Sequence, residues 1–130
     1  MIDILKYFKR GLRGTILLAN DGHFSYGSKW QAVQSSLSLD RWYMGDFSSA
    51  EYTINIELGK DKKEIIKCLV TASPNEASIV VYGRASTTTD LVSITASVTN
   101  SYVEILLSPK TDASKGAKAS FAATYFRSHT

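Results

Sequence analysis

The chain has 130 residues, 44% of them hydrophobic and 11% aromatic, which is enough to fill one core and too apolar for a disordered segment. The net charge is +3, and Lys6, Lys9, Arg10 and Arg13 against Asp3 account for all of it. The rest of the chain is electrically balanced, which excludes a duplex-binding face spread over the domain and leaves any electrostatic partner to the N-terminal segment.

Across residues 2–13 Ile2, Leu5, Phe8 and Leu12 recur at roughly helical spacing, with Lys6, Lys9, Arg10 and Arg13 on the other side. The pattern predicts a short amphipathic helix or arm over residues 1–14, stopped by Gly11 and Gly14, ahead of a single domain over 15–130. The charges break up the apolar residues of this start, so no signal peptide is read. No later run reaches membrane-spanning length, so the expectation is a soluble chain with no membrane partner. Thr15-Ile16-Leu17-Leu18-Ala19 reads as a first strand, and Asn20-Asp21-Gly22 as a turn that places His23 outside a strand. Between Trp30 and Ser49 the pattern is irregular: Val33, Leu37 and Leu39 suit a strand, whereas Asp40 to Asp46 does not.

From Ala50 the apolar residues alternate with polar ones, as a half-buried strand demands. Tyr52, Ile54 and Ile56 share one face, and Gly59-Lys60-Asp61-Lys62 turns the chain. Ile66, Cys68 and Val70 then point inward, while Ile65 and Leu69 imply that the opposite face is also partly covered. Pro74-Asn75 closes that strand. Ile79 to Tyr82 forms the next, ending at Gly83-Arg84 before the polar run Ser86-Thr87-Thr88-Thr89. Val92, Ile94, Ala96 and Val98 alternate strictly with Ser93, Thr95, Ser97 and Thr99. Asn100-Ser101 turns the chain into Val103, Ile105 and Leu107, and Pro109 stops it. Residues 110–118 read as a mobile loop before a last strand, Phe121 to Phe126. Seven to nine short strands joined by tight turns predict an all-β fold, an antiparallel β-sandwich or a jelly-roll-like barrel.

Motifs that carry chemistry are sparse. Cys68, the single thiol, cannot form an intramolecular disulfide and lies on an apolar face, where burial keeps it inert. His23 and His129 have no cysteine or carboxylate at ligand spacing, so neither a metal nor a cofactor is expected. There is no G-x-S-x-G elbow, and Gly59-Lys60 lacks the upstream glycine of a phosphate loop. Asp40, Asp46 and Glu51 lie near Trp42 and Tyr43, a composition shared by sugar-processing clefts and packed loops, so a glycosidase using Asp46 or Glu51 is the most distant alternative. Trp30 and Trp42 read more naturally as core or interface anchors than as a stacking platform.

The stretch Trp42-Tyr43-Met44-Gly45-Asp46-Phe47-Ser48-Ser49-Ala50-Glu51-Tyr52-Thr53-Ile54, followed by Lys63-Glu64-Ile65-Ile66-Lys67-Cys68-Leu69-Val70, resembles a small domain in virion structural proteins of large tailed phages of marine cyanobacteria. The resemblance continues through Ala77 to Arg84 and Asp90-Leu91-Val92, covering most of residues 40–127. It implies a virion component without enzymatic activity, on the tail, baseplate, fibres or head surface as a capsid decoration, and it assigns no functional residue. The reading is therefore a non-enzymatic bacteriophage structural protein, found in the virion and assembled in the host cytoplasm. Its partners would be other virion proteins and, as a homo-oligomer, its own copies, with no specific nucleic acid. Leu5, Phe8, Lys9, Arg10 and Arg13 would form the attachment arm. The alternative is a carbohydrate-binding module that recognises a host-surface glycan through Trp42, Tyr43 or Tyr102.

Overall fold

A computed structural model describes residues 14–18, 22–30, 37–110 and 117–129. The expected arm over residues 1–14, with Leu5, Phe8, Lys9, Arg10 and Arg13, lies outside them except for Gly14, as does the greater part of the expected loop over 110–118. Among the described residues the protein is all-β and has no helix. The strands are β1 (Gly14–Leu18), β2 (Gly22–Trp30), β3 (Leu37–Tyr43), β4 (Phe47–Leu58), β5 (Lys62–Ala72), β6 (Ala77–Ser86), β7 (Val92–Thr99), β8 (Tyr102–Pro109) and β9 (Lys118–Arg127).

These strands form two open antiparallel sheets. One has six strands in the order β1-β2-β9-β4-β5-β6, the other three in the order β3-β8-β7. The architecture is thus a sandwich, and the jelly-roll-like barrel is set aside because the two sheets do not close on each other by strand pairing. Two segments depart from the sequence reading. His23 lies within β2, paired with Tyr125 of β9, and Asp40 to Tyr43 belong to β3.

Period-two alternation builds the core. Tyr52, Ile54 and Ile56 of β4, Ile66, Cys68 and Val70 of β5, and Phe121, Ala123 and Tyr125 of β9 face Leu39 and Trp42 of β3 and Val103, Ile105 and Leu107 of β8. Each large side chain removed from water here contributes about 1.5–3 kcal/mol. The small alanines of β9 opposite large residues of β4, such as Ala123 across from Tyr52, let the layers interdigitate.

The turns follow their residues. Asn100 and Ser101 have φ of 52° and 67°, the left-handed pair of a two-residue hairpin joining β7 to β8. Gly59, at φ 70°, turns β4 into β5. At the edge of the sandwich Glu64 is buried and is met by Arg84 at 3.0 Å, by the Ser86 hydroxyl and by the Leu91 amide at 3.2 Å. Arg84 also donates to the Val92 carbonyl at 3.0 Å, so this cluster ties the end of the six-stranded sheet to the start of the other.

Candidate functional site

The chemistry-bearing surface begins with a bulge in β3. Ser38 pairs with Leu106 and Asp40 with Ile105, leaving Leu39 as the extra residue. Two consecutive residues, Leu39 and Asp40, therefore both turn inward, and every later side chain of the strand is on the opposite face from where strict alternation would place it. Trp42 goes to the core, whereas Arg41 and Tyr43 go to the surface.

Inside, the bulge delivers a carboxylate to a set of aromatic hydroxyls. Asp40 accepts a hydrogen bond from Tyr52 at 2.8 Å and another from Tyr125, and Trp42 donates its indole N–H to the Tyr52 hydroxyl at 2.9 Å. Burial, reinforced by the Asp40 charge, pushes the Tyr52 hydroxyl far above the ordinary tyrosine range, so it stays protonated and serves as donor. Trp42 is 3% exposed, is filled in around by Phe47 and Tyr125, and is thereby removed from the candidate glycan aromatics.

Outside, the other two candidates come together. Tyr43 and Tyr102 are direct cross-strand partners with ring centroids 5.4 Å apart, and they are 45% and 39% exposed. The Arg41 guanidinium carbon stands 4.3 Å from the Tyr102 ring centroid, and Glu104, opposite Arg41, accepts from Ser38 at 2.8 Å. Tyr43 is held by what lies beneath it: a Cβ added at Gly45 would stand 2.2 Å from the Tyr43 ring, so only a glycine permits this ring position. The turn under the ring is fixed from two sides. The Met44 amide donates to Ser101 at 2.8 Å, and Ser128 bonds Asp46 through its amide at 3.0 Å and Met44 through its hydroxyl at 2.7 Å. Beside it opens a recess of about 290 Å³ lined by Gly45, Asp46, Phe47, Arg127 and Ser128. A fixed pair of exposed aromatic rings, a cation and a neighbouring polar recess can stack on the apolar face of a sugar and bond its hydroxyls.

The remaining sequence candidates are dispersed. Cys68 is buried, as its alternation implied, and burial pushes its thiol up to about 11. Of the three carboxylates, Asp40 is in the core, Asp46 is at the β3–β4 turn and Glu51 is on the outer face of the six-stranded sheet across from Leu69. Arg41, Gly45, Glu104, Arg127 and Ser128 were not singled out from the sequence. Arg41 shares the face of Tyr43 by period two and was legible once a strand was recognised there, whereas Arg127 and Ser128 are distant in sequence and gave no signal.

No protein-family model matches the chain, and no curated protein matches it. The solved structures do provide likenesses. The tailspike protein of Acinetobacter baumannii phage AM24 superposes with a TM-score of 0.55 at 10% identity, over 84% of this chain and 27% of the tailspike. The tailspike protein of Acinetobacter phage vB_ApiP_P1 gives 0.54 at 17% identity, over 79% of this chain and 22% of its own. The fold described above is one that phage tailspikes carry. A third likeness, at a TM-score of 0.49 and 13% identity over 95% of this chain and 21% of the other, is to tailspike gp49 of Acinetobacter baumannii bacteriophage Fri1, a capsular polysaccharide depolymerase. The chain thus spans about a quarter of the length of the tailspikes it matches. The exclusion of enzymatic activity made from the sequence is withdrawn. The physical reason is that motif spacing excludes only chemistries bound to local motifs, whereas polysaccharide-cleaving carboxylates are brought together in space from distant strands.

Proposed function

We propose that this chain is a β-sandwich domain of a tail spike or tail fibre of a tailed phage, and that it sits in the virion as a repeated subunit beside other virion proteins. The observation that carries the reading is the shared fold: the two-sheet arrangement covers most of this chain and about a quarter of each tailspike, the proportion expected of one domain in a longer appendage. The stretches at Trp42 to Ile54 and Lys63 to Val70 extend the reading to the large tailed phages of marine cyanobacteria, with assembly in the host cytoplasm. The segment Leu5, Phe8, Lys9, Arg10 and Arg13 supplies an attachment arm to the particle. Mass spectrometry of purified particles tests this: the chain is expected at a copy number matching a tail appendage, and its absence from intact particles overturns the reading.

A second function is favoured by the surface itself. Tyr43, Tyr102 and the recess at Asp46, Arg127 and Ser128 form a contact for host-surface carbohydrate. Retention of the chain on immobilised host polysaccharide is expected, with Tyr43→Ala and Tyr102→Ala each reducing it while Thr95→Ala, on the exposed face of β7, does not. Equal retention of all variants rejects this surface as the contact.

A further inference from the structure

The Tyr43 ring owes its place to a turn that apolar burial does little to hold. Of Met44, Gly45 and Asp46, which join β3 to β4, Gly45 and Asp46 are exposed and Met44 alone reaches the core. The turn is held instead by hydrogen bonds. Within it, the Asp46 amide donates to the Tyr43 carbonyl at 3.0 Å, and from the β7–β8 turn the Ser101 carbonyl accepts from the Met44 amide at 2.8 Å. From the other side comes Ser128, the first residue beyond β9. Its amide donates to the Asp46 carbonyl at 3.0 Å and its hydroxyl to the Met44 carbonyl at 2.7 Å. Ser128 therefore grips the turn on both sides of Gly45, the residue over which the Tyr43 ring lies.

We infer that Ser128 is a positioning residue of the glycan contact, setting the Tyr43 ring through the Met44–Asp46 turn although it lies eighty-four positions from Met44. The inference rests on the glycan contact proposed above and adds the residue that fixes its geometry. A turn held by one bond can pivot about it, whereas bonds on both sides of Gly45 fix its distance and its tilt. The ring is sensitive to both, because the Gly45 backbone stands directly against it. Ser128 has little to give a sugar directly. Its one hydroxyl proton is committed to Met44 and its amide to Asp46, so a lone pair is all it can offer, and its weight lies in placing Tyr43. Gly45 and Asp46 also line the recess, and β9 brings Arg127 there one residue before Ser128, so the same grip sets the ring and the recess together. A ring held in the competent position only part of the time binds more weakly by that fraction.

Two readouts on the full chain test this. One is the nuclear Overhauser contact between the Gly45 α-protons and the Tyr43 ring, measured without glycan; the other is retention on immobilised host polysaccharide. Ser128→Pro removes both bonds, since proline has neither the amide proton nor the hydroxyl, and it lies beyond the paired residues of β9. It is expected to lose the Gly45–Tyr43 contact and to weaken retention by about tenfold or more, as two net hydrogen bonds allow, with the melting temperature little changed. Ser128→Ala keeps the amide bond and is expected to show a smaller loss of both, which Ser128→Thr recovers. Should the proline variant fail to fold, the alanine and threonine variants carry the test between them. Persistence of the Gly45–Tyr43 contact at wild-type strength in every folded variant overturns the inference, even where retention falls, because Ser128 would then act by touching the glycan. Loss of that contact with retention unchanged sinks the glycan contact at Tyr43 and leaves the grip on the ring standing.

Discussion

Tyr43 rests over a residue with no side chain, and that contact is the most exposed to test at the scale of single residues. Gly45→Ala puts a methyl group where the ring lies, so the ring must leave while the core, built from other positions, stays intact. The expected outcome is loss of polysaccharide retention with little change in melting temperature. A large fall in melting temperature would show that the turn itself depends on Gly45. Asp40→Ala acts in the core. It strips two buried tyrosine hydroxyls of their acceptor, at about 1–3 kcal/mol each, and thermal melting should show a loss of that order. Cys68 makes the fold sensitive to alkali. Its ordinary pKa is 9.0 and its folded value about 11, so the folded state prefers the neutral thiol. The resulting stability is fully present below pH 9 and is lost as pH rises towards 11, and the buried Tyr52 acts in the same sense. Denaturant titrations at increasing pH should record this decline, and Cys68→Ala should flatten it.

At the scale of elements, the strands between residues 50 and 107 were legible because apolar and polar residues alternate at Tyr52–Ile56, Val92–Val98 and Val103–Leu107, and the structure places Tyr52, Ile54, Ile56, Ile66, Cys68 and Val70 inward as period two requires. The candidate site was half legible, for one physical reason. Leu37 and Leu39 set an alternation that, continued, points Trp42 outward and Tyr43 inward. The bulge at Leu39 reverses both, and nothing in the composition of Ser38-Leu39-Asp40 marks an extra residue. The buried carboxylate was invisible for the same reason, since Asp40 reads as a surface residue until its tyrosine partners, twelve and eighty-five positions away, are brought to it. The β7–β8 hairpin offers a direct check of turn chemistry. Ser101 adopts φ 67°, which is unfavourable for a residue with a Cβ, so Ser101→Gly is expected to stabilise the protein by about 0.5–1 kcal/mol in denaturant unfolding.

For the molecule as a whole, the small sheet and its adjoining turn carry the glycan contact proposed for the chain. The charge excess is concentrated in residues 1–14. Deleting that segment is expected to leave a folded sandwich that incorporates poorly into particles, whereas attachment of the full chain is expected to weaken as salt rises. The tailspike likeness was not legible in the sequence, because identities of 10% and 17% leave too few shared residues to carry it. The central claim, a domain of a phage tail appendage, is tested most directly by electron cryomicroscopy of the parent particle with the chain located by antibody label. Label is expected on the tail spikes or fibres, with density there into which the six-stranded and three-stranded sheets fit; particles without label, or label confined to the head, would overturn the assignment.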